Sequence, residues 1–287
     1  MANIRHFRSV IGHVESLAVR VARVIAVGTV LLAVSTAAAL AAVLTVTTAA
    51  DDITPNDGSV SLREAITAVN AGNDLGDPDI TAQSPGVFGI NDTINFNIPG
   101  SGVHTITIGT DASASGIPLP DIIRPVAING YSQGGASANT LAKGDNAVLL
   151  IQLNGESAGA GANGLQLAPP LCDGGSGGSS VRGLVINRFS GNGIAVQSHG
   201  NTIAGNFIGT DPSGNTSGPG NAEDGVVSGV PPTPPGTNII GGQTPADRNV
   251  ISCNGAEAID VLGGLVVNQG NLLTLASKNS GKKPCGP

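Results

Sequence analysis

Asn187-Arg188-Phe189-Ser190-Gly191-Asn192-Gly193 returns as Asn249-Val250-Ile251-Ser252-Cys253-Asn254-Gly255, an offset of 62, and Gly205-Asn206-Phe207-Ile208 returns as Gly270-Asn271-Leu272-Leu273, an offset of 65. Two phrases recurring in the same order mark an internal repeat. The unit holds several strand-sized apolar pieces and no helical periodicity. It therefore reads as about two or three coils of a β-solenoid, in which each coil buries its apolar side only by stacking on the next. In such a stack, like corner residues stand about 4.8 Å apart, close enough for asparagine amides to hydrogen-bond up and down as a ladder. Asn187, Asn192, Asn201, Asn206, Asn249 and Asn254 are accordingly assigned structural roles first.

Upstream the same grammar continues. Ile94, Phe96 and Ile98 alternate with polar residues, as do Ile106 and Ile108, then Val126 and Ile128. Period two means one buried face and one wet face. Asn129-Gly130, Asn154-Gly155, Asn163-Gly164 and Asn192-Gly193 punctuate the strands. Both residue types tolerate the positive φ that tight corners need. Ser132–Gly144, Pro169–Ser180, Asp211–Asn221 and Pro231–Gly236 break the rhythm and read as side loops, the usual binding equipment of a solenoid or else flexible spacers.

Composition agrees with a turn-rich β protein. Its 43 Gly and 18 Pro could signal disorder, but 40% hydrophobic residues supply a core. The first residues are basic (Arg5, Arg8, Arg20, Arg23), and Val24 to Val46 is apolar and Ala-rich. That order predicts a signal peptide over residues 1–41, cleaved between Ala39 and Ala42; a retained anchor is the other reading of a run long enough to span a bilayer. Cleavage would move the formal charge from −7 to −10, since residues 1–41 hold four Arg and Glu15. This disfavours nucleic acid and anionic membrane surfaces as partners, and no nucleic acid and, after cleavage, no stable membrane insertion is expected. Cys172, Cys253 and Cys285 match no metal spacing. They are read either as a Cys172–Cys253 disulfide of an exported protein or as unlinked small core residues.

Ser61-Leu62-Arg63-Glu64 fits a capping box, with Ser61 as N-cap, Glu64 three residues on and Asn70-Ala71-Gly72 as the stop. A solenoid's first coil would otherwise expose an apolar cross-section and unpaired strand edges. Residues 42–82 are therefore predicted to be an N-terminal cap, 83–275 the solenoid, and 276–287 a basic, disordered tail.

Ser61-Leu62-Arg63-Glu64-Ala65-Ile66 resembles the CSLREA-type motif of bacterial exported proteins, with Val60 where that motif has Cys. Asp92-Thr93-Ile94-Asn95-Phe96, Gly130-Tyr131-Ser132-Gln133, Gly183-Leu184-Val185-Ile186-Asn187 and Gly205-Asn206-Phe207-Ile208-Gly209-Thr210-Asp211 are similar to the same group of right-handed parallel β-helix repeat proteins. So are Ile240-Gly241-Gly242 and Arg248-Asn249-Val250-Ile251-Ser252. The resemblance implies an all-β, right-handed parallel β-helix with a short helical cap, secreted or on a cell surface, and no established reaction. Where another Ile-Gly-Thr-Asp phrase would follow, Leu273-Thr274-Leu275-Ala276 stands instead. An end left uncapped there is expected to self-associate.

Parallel β-helices also include pectate lyases and polygalacturonases, although fold does not give function. Hydrolysis needs carboxylates about 5 to 9 Å apart across a cleft, and a lyase needs calcium-binding Asp beside an Arg. Asp211, Asp224 and Asp247 are the weak catalytic candidates, with Glu223, Glu257 and Asp260 near them in sequence and Arg188 and Arg248 as cations. Asp211-Pro212-Ser213-Gly214-Asn215 has the opening spacing of a calcium loop, making Asp211 and Asn215 weak Ca²⁺ candidates, but Ala222 replaces the bidentate Glu. His199-Gly200 resembles part of a polygalacturonase phrase and reads first as a solvent-facing turn. No cofactor is otherwise implied. The leading reading is a non-enzymatic scaffold or adhesin-like module whose partner is a surface glycan or protein; the rival is a polysaccharide lyase or glycoside hydrolase.

Overall fold

Short alternating segments become parallel strands when their neighbours lie a full coil away rather than across a hairpin. The computed structural model describes residues 41–89, 91–168, 177–214, 218–229 and 236–273. Its strands are β1 (Val43–Val46), β2 (Asp92–Phe96), β3 (His104–Thr107), β4 (Val126–Asn129), β5 (Ile151–Asn154), β6 (Leu165–Leu167), β7 (Ser180–Arg182), β8 (Leu184–Asn187) and β9 (Ile194–Val196). There follow β10 (Thr202–Ala204), β11 (Phe207–Ile208), β12 (Val226–Gly229), β13 (Thr237–Gly241), β14 (Val250–Ile251), β15 (Ile259–Gly263), β16 (Leu265–Gln269) and β17 (Leu272–Leu273). They form three sheets, ordered β1-β2-β4-β7-β10-β13-β16, β3-β5-β8-β11-β14-β17 and β6-β9-β12-β15. The chain visits the three sheets in turn and every strand pairing is parallel, so the fold is an all-β parallel β-helix.

Register shows how the interior is filled. Leu44, Ile94, Ile128, Val181, Ile203 and Ile240 pair rung upon rung in the seven-stranded sheet. All six are buried, a continuous aliphatic stack that no single coil could shelter alone. Val185 pairs with Phe207 and Phe207 with Val250, fixing a coil of 22 residues where no loop intervenes and a two-coil repeat of 65. The offset of 65 is thus the structural repeat. The offset of 62 is out of register by three residues: Asn249 stands at the level of Asn206, and Asn187 at the level of Ser252.

Asparagines line the corners. Asn206 donates to Asn249 Oδ1 (3.1 Å) and Asn249 to Asn271 Oδ1 (2.9 Å). Asn201 donates to Asn238 Oδ1 (3.1 Å), Asn221 to Asn254 Oδ1 (2.9 Å) and Asn192 to Asn163 Oδ1 (3.0 Å). Asn187 is buried outside these ladders, donating to Thr210 O (2.8 Å) and accepting from Gln152 (3.1 Å). The glycines of the Asn-Gly pairs serve close approach rather than positive φ: a Cβ on Gly193 would stand 2.6 Å from Gly225 O, and one on Gly164 would stand 2.4 Å from Gly193 O.

Positive φ falls on other corner glycines, Gly205 (67°) and Gly270 (67°) among them, and on two residues that carry a Cβ, Arg188 (62°) and Cys253 (64°), at equivalent corners 65 residues apart. The left-handed conformation costs a residue bearing Cβ about 1–2 kcal/mol, and the exposed Arg188–Glu156 pair at 3.8 Å returns little. Arg188→Gly is expected to raise stability by about 1 kcal/mol in urea titrations; a decrease would show that the arginine side chain matters more than its backbone.

At the N-terminal end, helix α1 (Leu62–Ala71) starts at Ser61 with a complete capping box to Glu64 and stops at a left-handed Gly72. Leu62, Ala65, Ile66 and Val69 belong to the same buried cluster as Ile94 and Phe96, so the helix closes the tube. Its polar face is anchored too: Arg63 pairs with buried Asp51 at 2.8 Å and donates to the carbonyls of Ile117 and Pro118. A second helix, α2 (Pro78–Ala82), follows from Asp77 as N-cap and Pro78, a signal too short for hydrophobic periodicity to register. β1 belongs to the solenoid's own sheet rather than to a separate cap. At the opposite end the last described rung leaves Leu262, Leu265, Leu272 and Leu273 exposed.

Candidate functional site

The outward positions of the seven-stranded sheet carry Thr93 on β2, Ala127 on β4 and Ser180 on β7 in one row, and Asn95, Asn129 and Arg182 in the next. All of these side chains but Asn95 floor a cleft of about 480 Å³. Its wall is the side loop after β4, in which Ser137 and Val148 form an antiparallel bridge that brings Ala136, Ser137 and Ala138 over the floor.

Two devices hold that wall. Arg248 spends its guanidinium on the loop's carbonyls, donating to Leu141, Ala142 and Gly144, and on Gly270 O. Asn139 donates to Pro245 O at 3.1 Å. The loop's far limb crosses onto the neighbouring sheet, where Leu149 and Ala147 cover outward-facing Val185, Phe207 and Val250. Phe207 is therefore core, as its strand pattern implies, but of a second cluster outside the tube.

Tyr131 lines the cleft at the start of the loop. Its hydroxyl donates to Gly205 O at 2.7 Å, and burial pushes the phenol up to about 12, so it stays protonated. The ring lies over consecutive rungs because both are glycine there: a Cβ on Gly183 would stand 3.0 Å from Tyr131 Cδ2, and one on Gly205 would stand 2.6 Å from its hydroxyl. Arg182 reaches Asp247 Oδ1 at 2.6 Å. Burial acts to raise the Asp247 carboxyl, but the Thr244 hydrogen bonds and the Arg182 guanidinium outweigh it and hold the carboxyl below its ordinary value. Arg182 Nε and Nη1, and the hydroxyls of Thr93, Ser137 and Ser180, make no hydrogen bond to another described residue.

The carboxylates singled out in the sequence do not meet here as a trio. Asp247 is at the rim, committed to Arg182 and Thr244. Asp211 accepts from the Ser213 amide (2.9 Å) and hydroxyl, a local turn after β11, and Asn215 lies outside the described residues. Asp224, before β12, accepts from the Glu257 amide at 2.7 Å. Burial raises its carboxyl, and Asp260, Glu223 and Glu257 add to the rise. Four of the six acidic candidates thus gather around the starts of β12 and β15 in the four-stranded sheet, and neither Asp211 nor Asp247 is among them. Among the described residues no group of three His, Cys, Asp or Glu is arranged to hold a metal ion. His199 is half-buried rather than fully solvent-facing: Nδ1 is 3.3 Å from Gly236 O and Nε2 is buried. Arg188 sits at the opposite corner beside Glu156.

Arg182 escaped the sequence reading, although the signal was there. Charged residues are only 11% of the chain, and Arg182 occupies the polar position of an alternating strand, directly before a glycine. Comparison with known proteins finds no match among family models, curated sequences or solved structures.

Proposed function

We propose that this chain is an exported β-helix interaction module that holds a surface glycan or protein in the outer cleft of its seven-stranded sheet, without catalysis. The observation that carries the reading is the cleft itself: a clamped wall, a fixed aromatic residue and a polar floor whose hydroxyls, with Arg182 Nε and Nη1, are unspent within the described residues. A preformed site loses little entropy on binding, which suits a holding role. Export is supported by the basic-then-apolar order of residues 1–41, which lie almost wholly outside the described residues, and by Cys253, which is disulfide-bonded. No helix among the described residues is long and apolar enough to cross a membrane.

The test is retention of the purified chain on a printed array of glycans and surface proteins, run beside a reducing-end and unsaturated-uronate assay on the same polymers. Retention on at least one class without product release is the expected result. Product release would replace the module with the lyase or hydrolase reading, and no retention at all would sink it.

A further inference from the structure

We propose that the outer cleft takes a neutral, hydroxyl-rich oligosaccharide laid along the solenoid axis across β2, β4 and β7. This deepens the interaction-module reading and rests on it.

Three observations converge. The first is spacing: Thr93, Ala127 and Ser180 come from successive rungs about 4.8 Å apart, close to the repeat of about 5 Å in an extended chain of linked pyranoses. One sugar can therefore sit over each rung, and a cleft of about 480 Å³ holds a segment of two or three.

The second is hydrogen-bonding capacity. Thr93, Ser137 and Ser180 each offer a hydroxyl that both donates and accepts, and Arg182 keeps Nε and Nη1 as donors. Asn129 Nδ2 turns toward Asn95 Oδ1 (3.4 Å), leaving its own carbonyl oxygen as an acceptor. Mixed donors and acceptors on short side chains match sugar hydroxyls, which do both, better than they match an acceptor-only anion.

The third is charge. The ionic groups that act on the cleft's own residues are Arg182 and Asp247, paired at 2.6 Å, with Arg248 and Asp145 on the loop side. These two positive and two negative charges cancel, Arg248's donors are already spent on carbonyls, and the loop's remaining cation, Lys143, is exposed to solvent. An acidic polymer would approach two carboxylates on a chain that is acidic overall, and a cationic ligand would meet two guanidinium groups. Tyr131, held by Gly205, adds an immobile aromatic side chain for sugar C–H faces at small entropic cost.

The full purified chain is titrated by calorimetry with cellotetraose, xylotetraose and mannotetraose, and with tetragalacturonate as the acidic counterpart. At least one neutral tetrasaccharide should bind with Kd under about 1 mM, and the uronate at least about tenfold more weakly. Ser180→Tyr fills the floor from an outward position, and should weaken the neutral ligand at least about tenfold with an unchanged thermal midpoint. Arg182→Gln keeps a planar donor and should weaken it about threefold. Absence of binding by all three neutral sugars, tighter binding of the uronate, or an affinity that Ser180→Tyr leaves intact would each overturn the proposal. Array retention that survives Ser180→Tyr would overturn the sugar cleft alone; loss of all retention by the unmodified chain would overturn the module as well.

Discussion

Asn206→Ala should remove about 3 to 5 kcal/mol of stability, a third or more of what a domain of ordinary stability possesses. The side chain is fully buried and every polar atom on it is used. Oδ1 accepts from the Leu184 amide at 3.1 Å, and Nδ2 donates to Val181 O (2.9 Å), Ala204 O (3.2 Å) and Asn249 Oδ1 (3.1 Å). Alanine would leave a buried amide and a buried carbonyl without partners, and water cannot reach them through the stacked rungs. Each such orphan costs about 1–3 kcal/mol. Asn192→Ala should cost only about 1 to 2 kcal/mol: Asn192 donates to Asn163 and Glu223 and accepts from the Asp224 amide at 3.0 Å, but this corner is half-buried and water can take over the freed groups. Asn206→Asp separates shape from chemistry: it keeps an acceptor for Leu184 but turns a second oxygen toward Val181 O and Asn249 Oδ1, so it should be at least as damaging as alanine. Urea unfolding followed by circular dichroism gives the energies, and exchange of the Leu184 amide locates the damage. Equal losses at positions 192 and 206 would mean that the buried ladder carries no special weight.

Those same asparagines mark how far the sequence can be read. The solenoid was legible because stacking demands the same residue type at the same place in every coil: Ile94, Ile128 and Ile203 had to be apolar, and Asn206 and Asn271 had to be amides. The exact register was not, because a phrase such as Asn187–Gly193 can resemble Asn249–Gly255 by composition while lying three residues out of step. Only the strand pairing of Phe207 with Val250 separates 62 from 65. The cap helix was legible because its signals are local, Ser61 to Glu64 and then Gly72. The cleft was not, because its members come from β2, β4, β7 and a loop, brought together only by coiling. Arg182 and Asp247 are 65 positions apart and ion-paired. The charges that looked informative in sequence, Asp211 and Asp224, are taken up by backbone amides, that of Ser213 two residues on and that of Glu257 on the next coil.

Glu64→Gln should make the protein more stable above neutral pH and change the pH dependence of its unfolding. Glu64 is 3% exposed. Oε2 accepts from the Ser61 amide at 2.8 Å, while Oε1 is buried with no partner among the described residues. It borders a small pocket of about 130 Å³ with Asp77, Thr67 and Ile53. Burial pushes the carboxyl up to about 7, the Ser61 hydrogen bonds pull against that rise, and the charges of Asp52 and Asp77 add to it. The folded state therefore holds the proton more tightly than the unfolded chain, whose reference value is 4.5. The resulting stabilisation is complete below that reference and is lost as pH rises toward and through 7. At about 1.4 kcal/mol per pKa unit, the full swing is roughly 3 kcal/mol. Glutamine keeps an acceptor for the Ser61 amide, so the capping box survives, and it carries no charge to bury. Parent and variant should match near pH 4 and separate by roughly 3 kcal/mol at pH 8, the parent losing that amount between pH 4.5 and 7 and the variant retaining it. Burial also raises Asp52, with Asp57, Asp111 and Asp51 adding to the shift, so part of the decline with rising pH should persist in both proteins. Urea midpoints at pH 4, 5.5, 7 and 8 distinguish the two contributions. Parallel curves across that range would mean that Glu64 is ionised in the fold and that its unpartnered oxygen is stabilised by something other than a proton.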